Sequence, residues 1–294
     1  MKIGFFCIGA GLSAEPDIVS LIATRSEACG YHSLWAPEHI VLLDRYAPKY
    51  PYTQDGVMPF ATMEVDLLDP FLALTYAAAV TRRIRLGTGI CLVPERQPLI
   101  MAKEVASLDK LSAGRFDFGI GIGWLREEFD ALQIPWARRA QRTRDYLAAM
   151  QACWTQGESS HHGEFAAFDA VRSYPKPVQR PHPPLIFGGE SEAALKRVGE
   201  VGDGWWGVNV TVDTARQHLA TIRGFAEAAG RDPAQLSYAI STGIGVPITL
   251  DEVKRFADIG IDQVIVGAFA NSADEYSRVI EDTAETLIVP LGGG

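Results

Sequence analysis

The period of the hydrophobic pattern switches back and forth along this chain. Short β-branched or apolar runs alternate with longer segments whose apolar residues recur every three or four positions. Candidate strands cover Lys2–Ile8, Ser33–Ala36, Ile84–Val93, Phe116–Ile122, Pro184–Phe187, Gly204–Val208, Ser237–Val246 and Gln263–Ala268. Candidate helices cover Pro16–Gly30, Pro70–Val80, Pro98–Ser112, Arg138–Trp154, Glu192–Val201, Thr214–Ala229, Leu250–Ile259 and Ala273–Leu287. Strict βα alternation calls for parallel strands joined by helical crossovers. Eight repeats of it predict an α/β fold, a (β/α)8 TIM barrel, in place of an open sheet. A length of 294 residues with 47% hydrophobic content fits one such barrel or two smaller domains, and no linker or repeat divides residues 1–294.

Local chemistry marks several boundaries. Asp69 before Pro70 reads as an N-cap with proline at the first helical position. Thr249 with Glu252, and Ser272 with Glu275, have capping-box spacing. Gly260 reads as a C-cap, and Gly292–Gly294 as a frayed tail. Two segments are too long to be plain connections. Residues 39–68, an insertion after the second strand, lie on the catalytic face of a barrel and carry Tyr46, Tyr50, Tyr52, Met58, Phe60 and Met63. They read either as an apolar lid or as a loop packed at a dimer interface. Residues 156–183, before the fifth strand, are proline-rich, hold a strand-like Gly163–Asp169 and read as a cover over the opposite face.

Composition excludes some partners. A net charge of −9 with no basic cluster argues against nucleic acid and gives no help at an anionic membrane. No apolar run approaches a membrane span, and MKIGFFCIGAGL reads as a first strand, not a signal peptide. Scattered Cys7, Cys29, Cys91 and Cys153 lack CxxC spacing and read as reduced core thiols of a cytoplasmic protein.

The chemistry concentrates at strand ends. Ile84 to Phe129 reads as strand, helix, strand, with Gly87, Gly89, Gly121 and Gly123 where acids, lysines or histidines would otherwise sit. These glycines either leave clearance for a flat ring against bare backbone or serve packing. Gly188, Gly189, Glu190 and Ser191 lead from the fifth strand into a helix whose free N–H groups suit phosphate. Glu190 must then turn its carboxylate away. Glu38 and His39 close the second strand with a carboxylate and an imidazole suited to proton transfer; otherwise one caps a turn and the other lines the pocket. Trp205 and Trp206 must face opposite sides of their strand. His161 and His162, also adjacent on a strand, point apart and make a poor metal site. There is no lysine for a Schiff base, no GxGxxG after a strand and no GxSxG.

Taken in order, Arg85 through Ile90, Pro98 through Asp109, Ser112 through Phe116, Gly119 through Leu125, Pro183 through Ile186, Gly188-Gly189 and Val201 through Trp205 resemble the bacterial luciferase-like family of flavin- and coenzyme F420-dependent oxidoreductases. The resemblance spans nearly the whole chain. It implies FMN or F420 at the C-terminal face of the barrel, seated on Gly89, Ile90, Ile122 and Gly123. The phosphate would lie at Gly188, Gly189, Glu190 and Ser191. It implies a non-prolyl cis peptide at Gly89–Ile90, an acid–histidine pair at Glu38-His39, and a homodimer. Trp124 departs from relatives that carry glutamate there and oxidise sugar phosphates, which points to a more apolar substrate. The leading expectation is F420-dependent hydride transfer on a small molecule, with Arg45, Lys49, Arg96 and Arg126 as candidates for an acidic cofactor tail. An FMN-dependent monooxygenase is the rival, and a silent flavin-binding barrel the alternative of another class.

Overall fold

The computed structural model describes residues 1–58, 60 and 62–292. Eight parallel strands close on themselves. They are β1 (Lys2–Phe6), β2 (Ser33–Ala36), β3 (Arg85–Thr88) with a short continuation β4 (Cys91–Leu92), β5 (Phe116–Gly121), β8 (Leu185–Gly188), β9 (Gly204–Val208), β10 (Ser237–Ile244) and β11 (Gln263–Gly267). β1 pairs with β11, and Leu86 and Gly87 pair with Phe116 and Asp117 to shut the barrel on the other side. Around it run α1 (Pro16–Ala28), α2 (Pro70–Val80), α3 (Pro98–Leu111), α4 (Arg126–Ala131), α5 (Arg139–Thr155), α6 (Glu192–Val201), α7 (Val212–Ala228), α8 (Leu250–Asp258) and α9 (Ala273–Thr283). The (β/α)8 expectation holds, and the caps explain where helices begin. Asp69 accepts from the Phe71 and Leu72 N–H groups, and Thr249 with Glu252 forms the capping box.

Three elements differ from the sequence reading. Ile84–Val93 is not one strand, because a bulge carrying a cis Gly89–Ile90 bond parts β3 from β4. It turns Ile90 over its neighbours, which an unbroken period of two would not allow. The short helix α4 stands between the fourth strand and its long helix. The Gly163–Asp169 segment is not a single strand: an antiparallel hairpin, β6 (Ser159–His162) and β7 (Ala167–Val171), turns at Gly163–Ala166. The hairpin leans on α5, where Asp145 binds His161 Nε2 at 2.7 Å and accepts from the Phe165 and Ala166 N–H groups. His162 instead faces Asp169. Beyond the hairpin, Val178 and Gln179 donate to Asp109 of α3, and Gln179 meets Arg85 and the Phe116 carbonyl at the N-terminal ends of β3 and β5. Gly293 and Gly294 of the expected tail lie outside the described residues. No helix among the described residues is long and apolar enough to cross a membrane.

The core has two shells. The outer shell packs helices on the barrel. The inner one is aromatic: Trp35 and Trp206 lie 4.9 Å apart between ring centroids, and Phe6 meets Trp206 edge-on at 5.4 Å, with Ile186, Ala239 and Ile265 around them. Trp206 therefore faces inward, while Trp205 faces outward against His218 of α7. Rings of this size fit inside eight strands only where facing positions are small. A β-carbon at Gly87 would fall inside the Trp35 indole. Overpacked interiors cost about 1–3 kcal/mol. Gly87→Ala is expected to lower the urea-unfolding free energy by about that much; a variant with wild-type stability would contradict this packing.

Candidate functional site at the barrel mouth

The glycines at the strand ends are not simply open. A β-carbon at Gly89 would lie 2.5 Å from Trp206, and β-carbons at Gly121 and Gly188 would lie 2.8 and 2.7 Å from Ile90 Cδ1. The clearance expected from the sequence is taken up by the protein's own side chains, because the inner rings and Ile90 need it. What remains free is the upper surface. Gly89, Ile90, Ile122, Gly123, Gly188, Gly189 and Glu190 are all half-exposed and ring the C-terminal ends of β3, β5 and β8, while Ser191 is exposed. The structure thus brings every sequence-chosen residue of the expected ring seat and phosphate loop to one rim.

Glu38 and His39 turn to different partners. His39 Nδ1 lies 2.7 Å from Glu128 Oε2, across 89 residues of sequence. A carboxylate only accepts, so in the neutral ring Nδ1 carries the hydrogen and Nε2 keeps its lone pair. Glu128 Oε1 also accepts from the Ile40 and Val41 N–H groups at 2.6 and 3.1 Å. Glu38 points the other way. It accepts from the Leu92 N–H and from both Nε and Nη2 of Arg96, and Arg96 reaches on to Asp69 Oδ2 at 2.6 Å. Burial pushes the Glu38 carboxyl up, and Arg96 pulls against it. Arg96, expected at the rim, is consequently a half-buried ion-pair partner and not a free cation. Sequence reading missed Glu128 altogether; its one signal was position, in the first turn after the fourth strand.

The segment after β2 crosses the mouth. Trp124 receives His39, Tyr46 and Tyr50 edge-on at 6.0, 5.9 and 5.3 Å. Ala47 N–H donates to Glu127 at 2.8 Å, and Asn209 at the end of β9 donates to the Tyr52 carbonyl at 3.0 Å. Phe60 meets Phe269 beyond β11 at 6.3 Å. Met58 is buried beneath, and its N–H donates to Tyr46.

At the start of α6, Ser191 caps the Ala194 N–H, and Glu190 accepts from the Val208 N–H of β9 at 2.8 Å. The Glu190 carboxylate is thereby drawn away from the helix end. Burial pushes its pKa up, and burial together with Glu190 does the same to the Tyr52 hydroxyl above it.

A third carboxyl, Glu95, lies beside Gly123 and was also missed. It is 5% exposed, and neither oxygen has a hydrogen-bond partner among the described residues. Burial, then the charges of Glu128 and Glu38, push it up to about 9.

Residues 1–285 match the sequence profile of the luciferase-like monooxygenases. An uncharacterized protein of Mycobacterium tuberculosis is 35% identical over 277 residues, 94% of this chain and 96% of that one. The FMNH(2)-dependent dimethylsulfone monooxygenase of Pseudomonas putida is 27% identical over 207 residues, 69% of this chain and 55% of that one. The coenzyme F420 dependent tetrahydromethanopterin reductase of Methanopyrus kandleri has the same fold, with a TM-score of 0.77 at 17% identity over 98% and 99% of the two chains. This chain belongs to the luciferase-like monooxygenase family and is an oxidoreductase.

Arg96→Met would strand a buried Glu38 carboxylate, at a cost of about 3–5 kcal/mol. Adding Glu38→Gln is expected to restore most of that stability in denaturant titration. Two independent, additive losses would show that the pair is not a unit.

Proposed function

We propose that this chain is a coenzyme F420-dependent oxidoreductase that moves a hydride to or from a small, apolar substrate. The His39–Glu128 pair at the mouth carries the reading. Hydride transfer at a carbon bearing oxygen also moves a proton on that oxygen, and His39 Nε2, with Glu128 behind the ring, is placed to take or return it. The residues present fit a flat ring with a phosphorylated arm. The rim from Gly89 to Gly123 is half-exposed over a floor of Ile90 and Trp206, and Gly188 and Gly189 place no side chain of their own beside the N-terminal turn of α6. When bound, the cofactor supplies or accepts the hydride. Ile90, Ile122 and Gly123 would back the ring, while Gly188, Gly189 and Ser191 would receive the phosphate. Glu190 would stay out of its way by holding the Val208 N–H. Glu38 serves as a positioning residue, because both its oxygens are committed to Arg96 and Leu92. Residues 39–68 act as the lid, with Trp124, Tyr46 and Tyr50 excluding water from the reacting atoms.

The same aromatic cover favours a second reading, an FMN-dependent monooxygenase, since reduced flavin that meets oxygen needs a dry pocket. The 27% identity to the dimethylsulfone enzyme supports it. Absorbance titration of the purified protein with F420 and with FMN separates the two. F420 is expected to bind more tightly, and reversing charge at the exposed Arg45, Lys49 and Arg126 is expected to weaken F420 about tenfold more than FMN. Tight FMN binding without F420 binding would transfer the assignment to the monooxygenase.

We also infer that the working form is a homodimer formed through α2. That helix is apolar on all sides, yet Leu72, Tyr76 and Val80 share one outer stripe, with Leu72 72% exposed. The double variant Leu72→Glu, Tyr76→Glu is expected to sediment as a folded monomer where the wild type sediments as a dimer. A monomeric wild type would remove the inference.

A further inference from the structure

The wall behind His39 holds more acid than its visible partners account for. Glu128 of α4 spends its charge on His39 and two backbone N–H groups. Glu38, after β2, spends its charge on Arg96 and Leu92. Glu95, in the turn between β4 and α3, has nothing to spend it on. A β-carbon built on Gly123 would meet Glu95 Oε1 at 2.9 Å and the Phe129 ring at 2.5 Å, and Phe129 is the residue next to Glu128. Glu95 thus shares the Gly123 turn with Phe129, and the charge of the neighbouring Glu128, the acid that orients His39, bears on it. A buried, unpartnered polar group is costly, and an ionised one far more so, and a carboxyl left here is therefore held neutral.

We propose that Glu95 is a proton-holding positioning residue: its hydrogen keeps a second negative charge out of the wall behind the His39–Glu128 pair and so leaves His39 able both to take up and to release a proton. The alternative charge states show why. With Glu95 neutral, His39 faces one anion and can cycle between imidazole and imidazolium. With Glu95 ionised, its proton lost to solvent, two buried anions lie on that side and bias the ring toward imidazolium, which can no longer accept a proton. The charged groups facing Glu95 are Glu128 from α4, Glu38 from the segment after β2, and Arg96 from its own turn. Arg139 of α5 binds the Gly123 carbonyl at 3.1 Å on the same turn. Arg96 is already committed to Glu38 and Asp69, so neutrality at Glu95 is maintained by the proton itself.

This inference rests on His39 as the proton-handling group, but its test needs neither cofactor nor turnover. The nitrogen and carbon resonances of the His39 ring are followed by NMR against pH in the cofactor-free protein, together with the infrared C=O band of protonated carboxylic acids. The wild type is expected to show a second step in the His39 resonances between about pH 8 and 10, in parallel with loss of the acid band, as Glu95 ionises. Glu95→Gln, neutral at every pH, is expected to abolish both the step and the parallel loss of the acid band while leaving the rest of the His39 profile in place. Glu95→Met, similar in volume, gives the same readout should the amide disturb folding. A wild-type His39 profile with a single step, or a second step that persists in both variants, would overturn the proposal. A failed F420 titration alongside a Glu95-dependent second step would dismiss the cofactor assignment and leave this coupling standing.

Discussion

Large rings set against missing side chains hold this mouth together. Trp35 occupies the space a side chain at Gly87 would need, Trp206 the space at Gly89, and Ile90 the space at both Gly121 and Gly188. Each pairing spans neighbouring or facing strands, so the strand ends are locked to one another by shape. Close-packed interiors deform little, so the rim gains its rigidity from this floor. The glycines therefore have a double consequence. They admit the inner rings below, and they leave backbone, not side chains, as the surface above.

On that rigid floor the charges are few and divided between separate tasks. Arg96 gathers Glu38 and Asp69 and ties the end of β2 to the starts of α2 and α3. Glu128 gathers His39 and the chain just after it. Burial without a partner would be ruinous for either carboxylate, and each has several donors. Two adjacent residues just beyond β2, Glu38 and His39, thus serve two different networks.

That division shows what the sequence could and could not convey. The βα alternation, the caps at Asp69 and Thr249, and the inward and outward faces of Trp206 and Trp205 follow from local periodicity and local chemistry, which a linear reading carries. Periodicity alone does not carry the break in the third strand, because Ile84–Val93 is mostly apolar throughout; it is the family resemblance that points to the cis Gly89–Ile90 bond, which the structure contains. The His39–Glu128 bond is invisible. REEFD reads as an ordinary solvated first turn, and only barrel closure brings it beside a histidine 89 residues earlier. Glu95 sits in a VPERQP turn that sequence chemistry would leave in water.

Glu128 also joins orientation to closure. One of its oxygens fixes the His39 ring, and the other holds the Ile40 and Val41 N–H groups, where the segment that covers the mouth departs from β2. Its neighbour Glu127 holds Ala47 farther along that segment. The bonds that orient the imidazole and the bonds that hold the covering segment therefore share one carboxylate and one short helix, and Tyr46 and Tyr50 rest edge-on against Trp124 just before that helix.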